Sequence, residues 1–234
     1  MTTVAIHQPN YLPWLGYFYK IVNCDTFVFL DNVQYSKGGF INRNRIKTPQ
    51  GVTWLTVDVL TRGRYGQLIK DTEIKNNISW GSAHKKSLQS LRQSYSRAPY
   101  FEKYLACLDA AFCTEREKLA ELNIFLVKTI CKALGIDGVR FLRASELDVA
   151  GESTQLLVNI CQSVGASTYL SGPSGRTYLD ESVFATRDIE LRYTDFKHPV
   201  YAQLYGDFTP NMSIVDLIFN EGERSLDILR RARE

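Results

Sequence analysis

The feature that most limits how this chain can fold is the alternation of short strand-like runs with helical periodicities. From residue 115 onward the order is helix, strand, helix, strand. A parallel sheet with helical crossovers accommodates that order. Runs rich in β-branched and aromatic residues stand at 3–6 (TVAI), 26–30 (TFVFL), 52–59 (VTWLTVDV), 139–143 (VRFLR), 168–170 (TYL) and 189–193 (IELRY). The stretch 40–47 (FINRNRIK) alternates in the same way.

The clearest helix is expected over about 115–134. Thr114 and Glu117 form a T-x-x-E capping box, Leu119, Leu122, Leu126, Ile130 and Ala133 recur at helical spacing, and Gly135 closes the run. A second helix starts near Ser153 or Thr154 and ends at Gly165. Others are expected around 14–22, 80–95, 101–113 and 212–220, with the stretch 60–80 read as a long loop or the entry to a helical insertion. The fold class that follows is α/β: a Rossmann-like, mostly parallel sheet with flanking helices. It forms one α/β domain over 1–234 with a helical insertion around 75–113.

Strand ends are informative in such a fold, because ligands bind beyond the carboxyl ends of parallel strands. Five expected strands run into polar, turn-prone clusters: His7-Gln8-Pro9-Asn10-Tyr11, Asp31 to Lys37, Ala144-Ser145-Glu146, Ser171 to Arg176, and Asp195-Phe196-Lys197-His198. If the strands are parallel, all five converge on one rim. Loops are polar in any protein, so the argument rests on the five together, two of them holding a histidine.

Three stretches carry specific chemistry. SGPSGR, residues 171–176, has the composition of an anion cradle: Gly172 and Gly175 allow close backbone approach, Ser171 and Ser174 add hydroxyls, and Arg176 adds charge. A plain turn accounts for it equally well. In FINRNRIK, a strand places Arg43, Arg45 and Lys47 on one face and Asn42 and Asn44 on the other. Three cations on one face suit an anionic ligand or a solvated edge strand. HPVYAQ ties His198 to a proline turn, with Tyr201 and Gln203 at alternate positions.

Composition narrows the classes. Lys plus Arg is 28 against 25 for Asp plus Glu, a balance that does not call for nucleic acid. No run approaches the length of a membrane span, and no secretory leader is expected, since polar His7, Gln8 and Asn10 follow the start at once. Cys24, Cys107, Cys113, Cys131 and Cys161 are odd in number and include no C-x-x-C pair. Reduced thiols and a cytoplasmic location are expected. The three histidines are far apart, so no metal site is expected.

The blocks HQPNYLPWLGYFYKI (7–21), CDTFVFLDNVQYSKGGFINRNRIK (24–47), YLSGPSGRTYLD (169–180) and HPVYAQLYGDFTPNMSIVDLIFNEG (198–222) resemble, in this order, the WbqC-like family of bacterial proteins. The resemblance spans nearly the whole chain. It implies a setting in O-antigen and other surface-sugar (lipopolysaccharide) pathways, and some members are described as glycine or aminoacyl transferases acting on amino sugars. It supplies no catalytic residue set.

The expectation is therefore a cytoplasmic transferase that glycylates or otherwise acylates an amino sugar on a nucleotide or lipid carrier. Such chemistry needs a base near the attacking amine, donors for an oxyanion and cations for a diphosphate. His7 or His198 serves as base, with Asp31 a further catalytic candidate. Gln8, Asn10 and amides near Gly172 serve as donors, Arg43, Arg45 and Lys47 hold phosphate, and Tyr11, Trp14 or Tyr35 stack on a ring. No bound cofactor is expected. The donor is an activated acyl or aminoacyl group, an aminoacyl-tRNA and a carrier protein being two such partners. A nucleotide-activating enzyme is the alternative, since the first strand, histidine loop and helix are similar in order to class I adenylyltransferases. The reading His7-Gln8-Pro9-Asn10 lacks the H-x-G-H signature, which makes ATP the less expected ligand. A non-catalytic ligand-binding protein of the same pathway is the third reading.

Overall fold

The computed structural model describes residues 2–75, 81–114 and 116–233. Five strands form one parallel sheet in the order β5-β2-β1-β6-β7: β1 Thr3–His7, β2 Thr26–Phe29, β5 Arg140–Arg143, β6 Thr168–Ser171 and β7 Glu190–Tyr193. These are the five strands whose ends carry the polar clusters. Parallel register puts all five carboxyl ends on one rim. Two more strands, β3 Arg43–Thr48 and β4 Gly51–Thr56, form a separate antiparallel hairpin.

Side chains alternate across each central strand, so both faces of the sheet are buried. Ala5, Phe27 and Phe29 pack on one face against α1 (Leu15–Val22), α3 (Phe101–Cys113), α4 (Leu119–Leu134) and α7 (Ile214–Glu221). Leu91 and Tyr95 of α2 (Gly81–Tyr95) and Leu229 of α8 (Ser225–Arg230) belong to the same cluster. The expected insertion thus contributes to the main core. Val4, Ile6 and Val28 pack on the other face against α5 (Ser153–Ser163) and α6 (Glu181–Ala185). Among the described residues no helix is long and apolar enough to cross a membrane. Cys24, Cys131 and Cys161 are buried free thiols, and Cys107 is an exposed one.

Some boundaries differ from expectation for tertiary reasons. The capping box at Thr114 and Glu117 is not used, and α4 begins at Leu119. The backbone of 117–119 is engaged elsewhere: Ile74 N–H donates to Glu117 O and Leu119 N–H to Thr72 O. The expected first residues of the helices at 80 and 115 lie outside the described residues. α6 and α8, at five and six residues, are too short to carry a periodicity that sequence could reveal.

What holds the rim is the loop from 8 to 14, between β1 and α1. It is non-helical backbone at the centre of the molecule, with Asn10, Tyr11, Leu12 and Pro13 buried. Buried carbonyls need donors. Asn123 Nδ2 of α4 donates to Pro9 O (2.8 Å) and Ile41 O (2.7 Å). Asn44 Nδ2 of β3 and the Ser213 hydroxyl at the start of α7 both donate to Leu12 O, each at 2.7 Å. Ile214 N–H donates to Pro13 O, and Tyr11 N–H donates to Phe40 O. Pro9 and Pro13 have no N–H to satisfy and fix their own φ, which suits a loop with few spare partners.

Replacing Asn123 by leucine, similar in volume but unable to donate, strips the donor from two buried carbonyls. The expected loss is about 2–4 kcal/mol. Urea unfolding of Asn123→Leu measures it, and an unchanged midpoint would show that the loop does not depend on this amide.

Candidate functional site

The connection leaving β1 passes through α1 on one face of the sheet, and the connection leaving β6 passes through α6 on the other. Neighbouring parallel strands whose connections diverge in this way leave a crevice at their carboxyl ends. A cavity of about 810 Å³ lies there. Its floor is Ile6, His7 and Gln8 of β1 and its loop, with Ser171 at the end of β6 and Gly172 and Ser174 after it. Trp14 and Phe196, edge to face at 5.2 Å, form an aromatic wall, and Leu156 and Leu157 of α5 form an aliphatic one.

His7 donates its Nδ1 proton to Gln8 O at 3.0 Å, since a carbonyl can only accept. The lone pair is therefore on Nε2. The ring packs edge on against Tyr17 at 4.7 Å, and Tyr17 OH also donates to Gln8 O, at 3.2 Å. Burial, with the nearby Lys20 amine, holds the imidazole down to about 3, against the bond to Gln8 O, which raises it. His7 is thus a neutral acceptor at physiological pH.

His198 shares the cavity wall but is differently engaged. Its Nδ1 donates to Pro199 O at 2.9 Å, and its Nε2 accepts the Asn211 N–H at 3.0 Å. Burial lowers its affinity for protons. With both nitrogens occupied, the ring locks the 198–211 loop against the rim. Asn211, itself at the cavity, is held at φ 60°, a left-handed conformation that asparagine tolerates.

Of the residues expected at a site, the fold gathers His7, Gln8, Trp14, Ser171, Gly172, Ser174 and His198 around this cavity. The others stand outside its lining. Asp31 is fully buried and accepts from Ser145 N–H (2.9 Å) and the Ser145 hydroxyl (2.7 Å), tying the ends of β2 and β5 together. Asn10 is buried in the loop, and Tyr11 OH donates to the Ser87 hydroxyl. Tyr35 is buried near Gln67, whose carbonyl accepts its N–H. Asn42 donates to Val57 O at the base of the hairpin.

The three cations of β3 all have protein contacts. Arg43 donates to Gly38 O and lies over Trp54, and Arg45 donates to Asn211 O at 3.3 Å. Lys47 Nζ donates to Asp207 O (2.6 Å) and Gln203 Oε1 (3.1 Å). Gln203 and Tyr201 in turn belong to a buried network around Asp216. That carboxylate accepts from Tyr95 OH (2.8 Å), Tyr201 OH (2.9 Å) and Gln203 Nε2 (2.8 Å). Burial raises the Asp216 carboxyl, against these three donors and Lys47. Arg176 lies over the Tyr193 ring at 4.0 Å.

The two cradle glycines have opposite requirements. A Cβ on Gly175 would lie 2.2 Å from the Ser171 hydroxyl and 2.9 Å from Leu179 Cδ1, so the short helical turn over 173–177 closes on it. Gly172 has φ −73° and open space around a built Cβ. Its backbone makes no demand for glycine.

Sequence reading missed Lys20. The amine lines the cavity from the same face of α1 as Gly16 and Tyr17, and the residue is 7 % exposed. Burial holds it down to about 7, with Cys24 opposing. The available signal was that Lys20 is the lone charge in LGYFYKIV, a helix apolar all round and therefore buried. Ser153, Tyr178 and Thr194 also line the cavity and carried no signal, because loop and helix-start residues reach it only through the fold.

The WbqC-like protein family matches residues 8–228 of the chain. An uncharacterized protein of Mycobacterium tuberculosis is similar over 236 residues at 40 % identity, covering 100 % of both chains. No solved structure gives a significant match.

Two stability tests follow from the site. Gly175→Ala should lose about 1–3 kcal/mol through overpacking, while Gly172→Ala should keep the wild-type melting temperature. Equal melting temperatures for both would contradict the packing described. For Lys20, folding depresses the amine from 10.5 to about 7. The neutral form is favoured in the fold, so the penalty is full below pH 7 and fades as pH rises toward 10.5. Lys20→Met should therefore be more stable by about 2 kcal/mol or more at pH 7, with the gain shrinking at high pH. Denaturant midpoints across that range would show a flat difference if the amine were solvated.

Proposed function

The chain belongs to the WbqC-like protein family, and from that premise we propose a cytoplasmic transferase of surface-polysaccharide synthesis that moves an acyl or aminoacyl group, glycine in particular, onto the amine of a nucleotide- or lipid-linked sugar. The observation that carries this reading is the cavity at the divergence of β1 and β6. Its volume of about 810 Å³ falls within the range of small-molecule sites, and it joins aromatic walls to a hydrogen-bonding floor.

In this reading the sugar amine attacks the acyl carbon, the bond to the donor's leaving group breaks, and the amine proton passes to that leaving group. His7, a lining residue whose Nε2 is an unprotonated acceptor, orients the attacking amine and relays the proton. A conjugate acid near 3 suits relay better than storage. The Ser174 hydroxyl and the Asn211 side chain are donors for the oxyanion. Trp14 and Phe196 offer faces for a sugar or base ring. Glycyl-tRNA or an acylated carrier protein supplies the activated group, with no resident cofactor.

The test incubates the protein with UDP- and dTDP-linked amino sugars and glycyl-tRNA or acylated carrier protein, and follows product mass. A mass gain of one acyl group, lost about a hundredfold or more in a folded His7→Ala variant, supports the reading. AMP release with ATP and glycine in place of a preactivated donor would replace it with nucleotide-dependent activation. Sugar binding without turnover would replace it with a binding protein.

A further inference from the structure

The polar lining of the cavity is electrically one-sided. Lys20 is its ammonium-forming side chain, and no aspartate or glutamate is among the lining residues. Among the described residues Lys20 Nζ has no hydrogen-bond or ion-pair partner, although the residue is 7 % exposed. A buried ammonium without a counter-charge is costly. The same cavity is lined by the start of α5, an 11-residue helix whose N-cap, Glu152, makes no side-chain capping bond. Its first turn holds no acidic residue. The Thr154 hydroxyl, a possible cap by type, instead accepts the Asp180 N–H at 3.2 Å. Ser153, the first helical residue, lines the cavity at φ 50°, a strained conformation for serine. Uncapped N–H groups and the positive end of the helix dipole thus open on the space that holds the unpaired amine.

We propose that Lys20 and the amino terminus of α5 form an oxyanion subsite within the cavity, taking a phosphate or carboxylate of the ligand. This rests on the cavity being the ligand site, but not on the transfer reaction. It supplies the anion contact that Arg43, Arg45 and Lys47, held by their own partners, do not bring to this space. Two features of unrelated origin, a side chain of α1 and the start of α5, favour negative charge along the lining of one cavity. The amine's value near 7 leaves it easily charged once an oxyanion arrives. A phosphate would come from a nucleotide or lipid diphosphate carrier, a carboxylate from an acyl donor or an acidic sugar.

Calorimetric titration of the full chain with inorganic phosphate, diphosphate and acetate tests this. At least one of them should bind with a dissociation constant of about 1 mM or tighter. Lys20→Met, which stays folded by the stability argument above, should weaken that binding about tenfold or more. Ser153→Asp, which places a carboxylate at the helix start, should weaken it severalfold. Diphosphate as the best ligand marks a carrier diphosphate, and acetate as the best marks a carboxylate; either supports the subsite. Undiminished binding in Lys20→Met overturns it, as does failure of all three anions to bind the wild type up to about 50 mM. Loss of the transfer reading leaves these outcomes untouched, because no acyl donor or acceptor enters the titration.

Discussion

Everything around the cavity depends on a small set of buried carbonyl oxygens. The β1–α1 loop crosses the interior as irregular backbone, and Pro9 O, Leu12 O and Pro13 O are out of reach of bulk water. An unpaired carbonyl there would cost about as much as one or two of the protein's ordinary stabilising contacts. The donors come from three distant parts of the chain: Asn123 in α4, Asn44 in β3, and Ser213 with Ile214 at the start of α7. Satisfying the loop therefore seats the hairpin, α4 and α7 around one point. The loop in turn delivers His7 and Gln8 to the rim and Trp14 to the face of Gly16, where a Cβ would lie 2.3 Å from the indole.

A second constraint shapes the space that remains. β1 is the centre of the sheet, with β2 on one side and β6 on the other. Because α1 and α6 cover opposite faces, neither fills the gap above β1 and β6. The rim is closed at one flank by Asp31 bonded to Ser145 and at the other by His198 bonded to Asn211. What is left is a concave site with a neutral histidine, a buried amine and an uncapped helix start, in surroundings of Trp, Tyr, Phe and Leu. The lowered values of His7 and Lys20 come chiefly from their burial. Low exposure also strengthens any ionic contact a ligand makes with them.

Residue types that suggest ligand contact from sequence serve the scaffold here in several cases. Gln203, Tyr201 and Tyr95 converge on the fully buried Asp216, and Lys47 of the hairpin is tied in through Gln203, so the network joins the hairpin, α2, α7 and the 201–209 loop. A carboxylate at that depth is tolerable only with several donors around it. The concentration of amides and hydroxyls in the last block of the chain answers that need. The face of alternating cations in FINRNRIK likewise meets carbonyls at Gly38, Asn211 and Asp207.

The sequence by itself determined the fold class and the rim. Strand runs of β-branched and aromatic residues alternate with helical periodicity, and five of those strands end in polar clusters; both are local patterns set by backbone sterics and burial on one or two faces. Those patterns place His7, Gln8, Ser171, Gly172, Ser174 and His198 near one another once the strands are parallel. They do not say which polar group faces a ligand and which faces buried backbone, since asparagine, lysine and aspartate look the same in either role. That choice belongs to tertiary structure, because it depends on which backbone carbonyls and N–H groups are left without partners after the elements pack. Asn44 and Asp31 were drawn inward by that demand, whereas Lys20, unremarkable as a letter, was left facing the cavity with no partner because α1 is buried on every side.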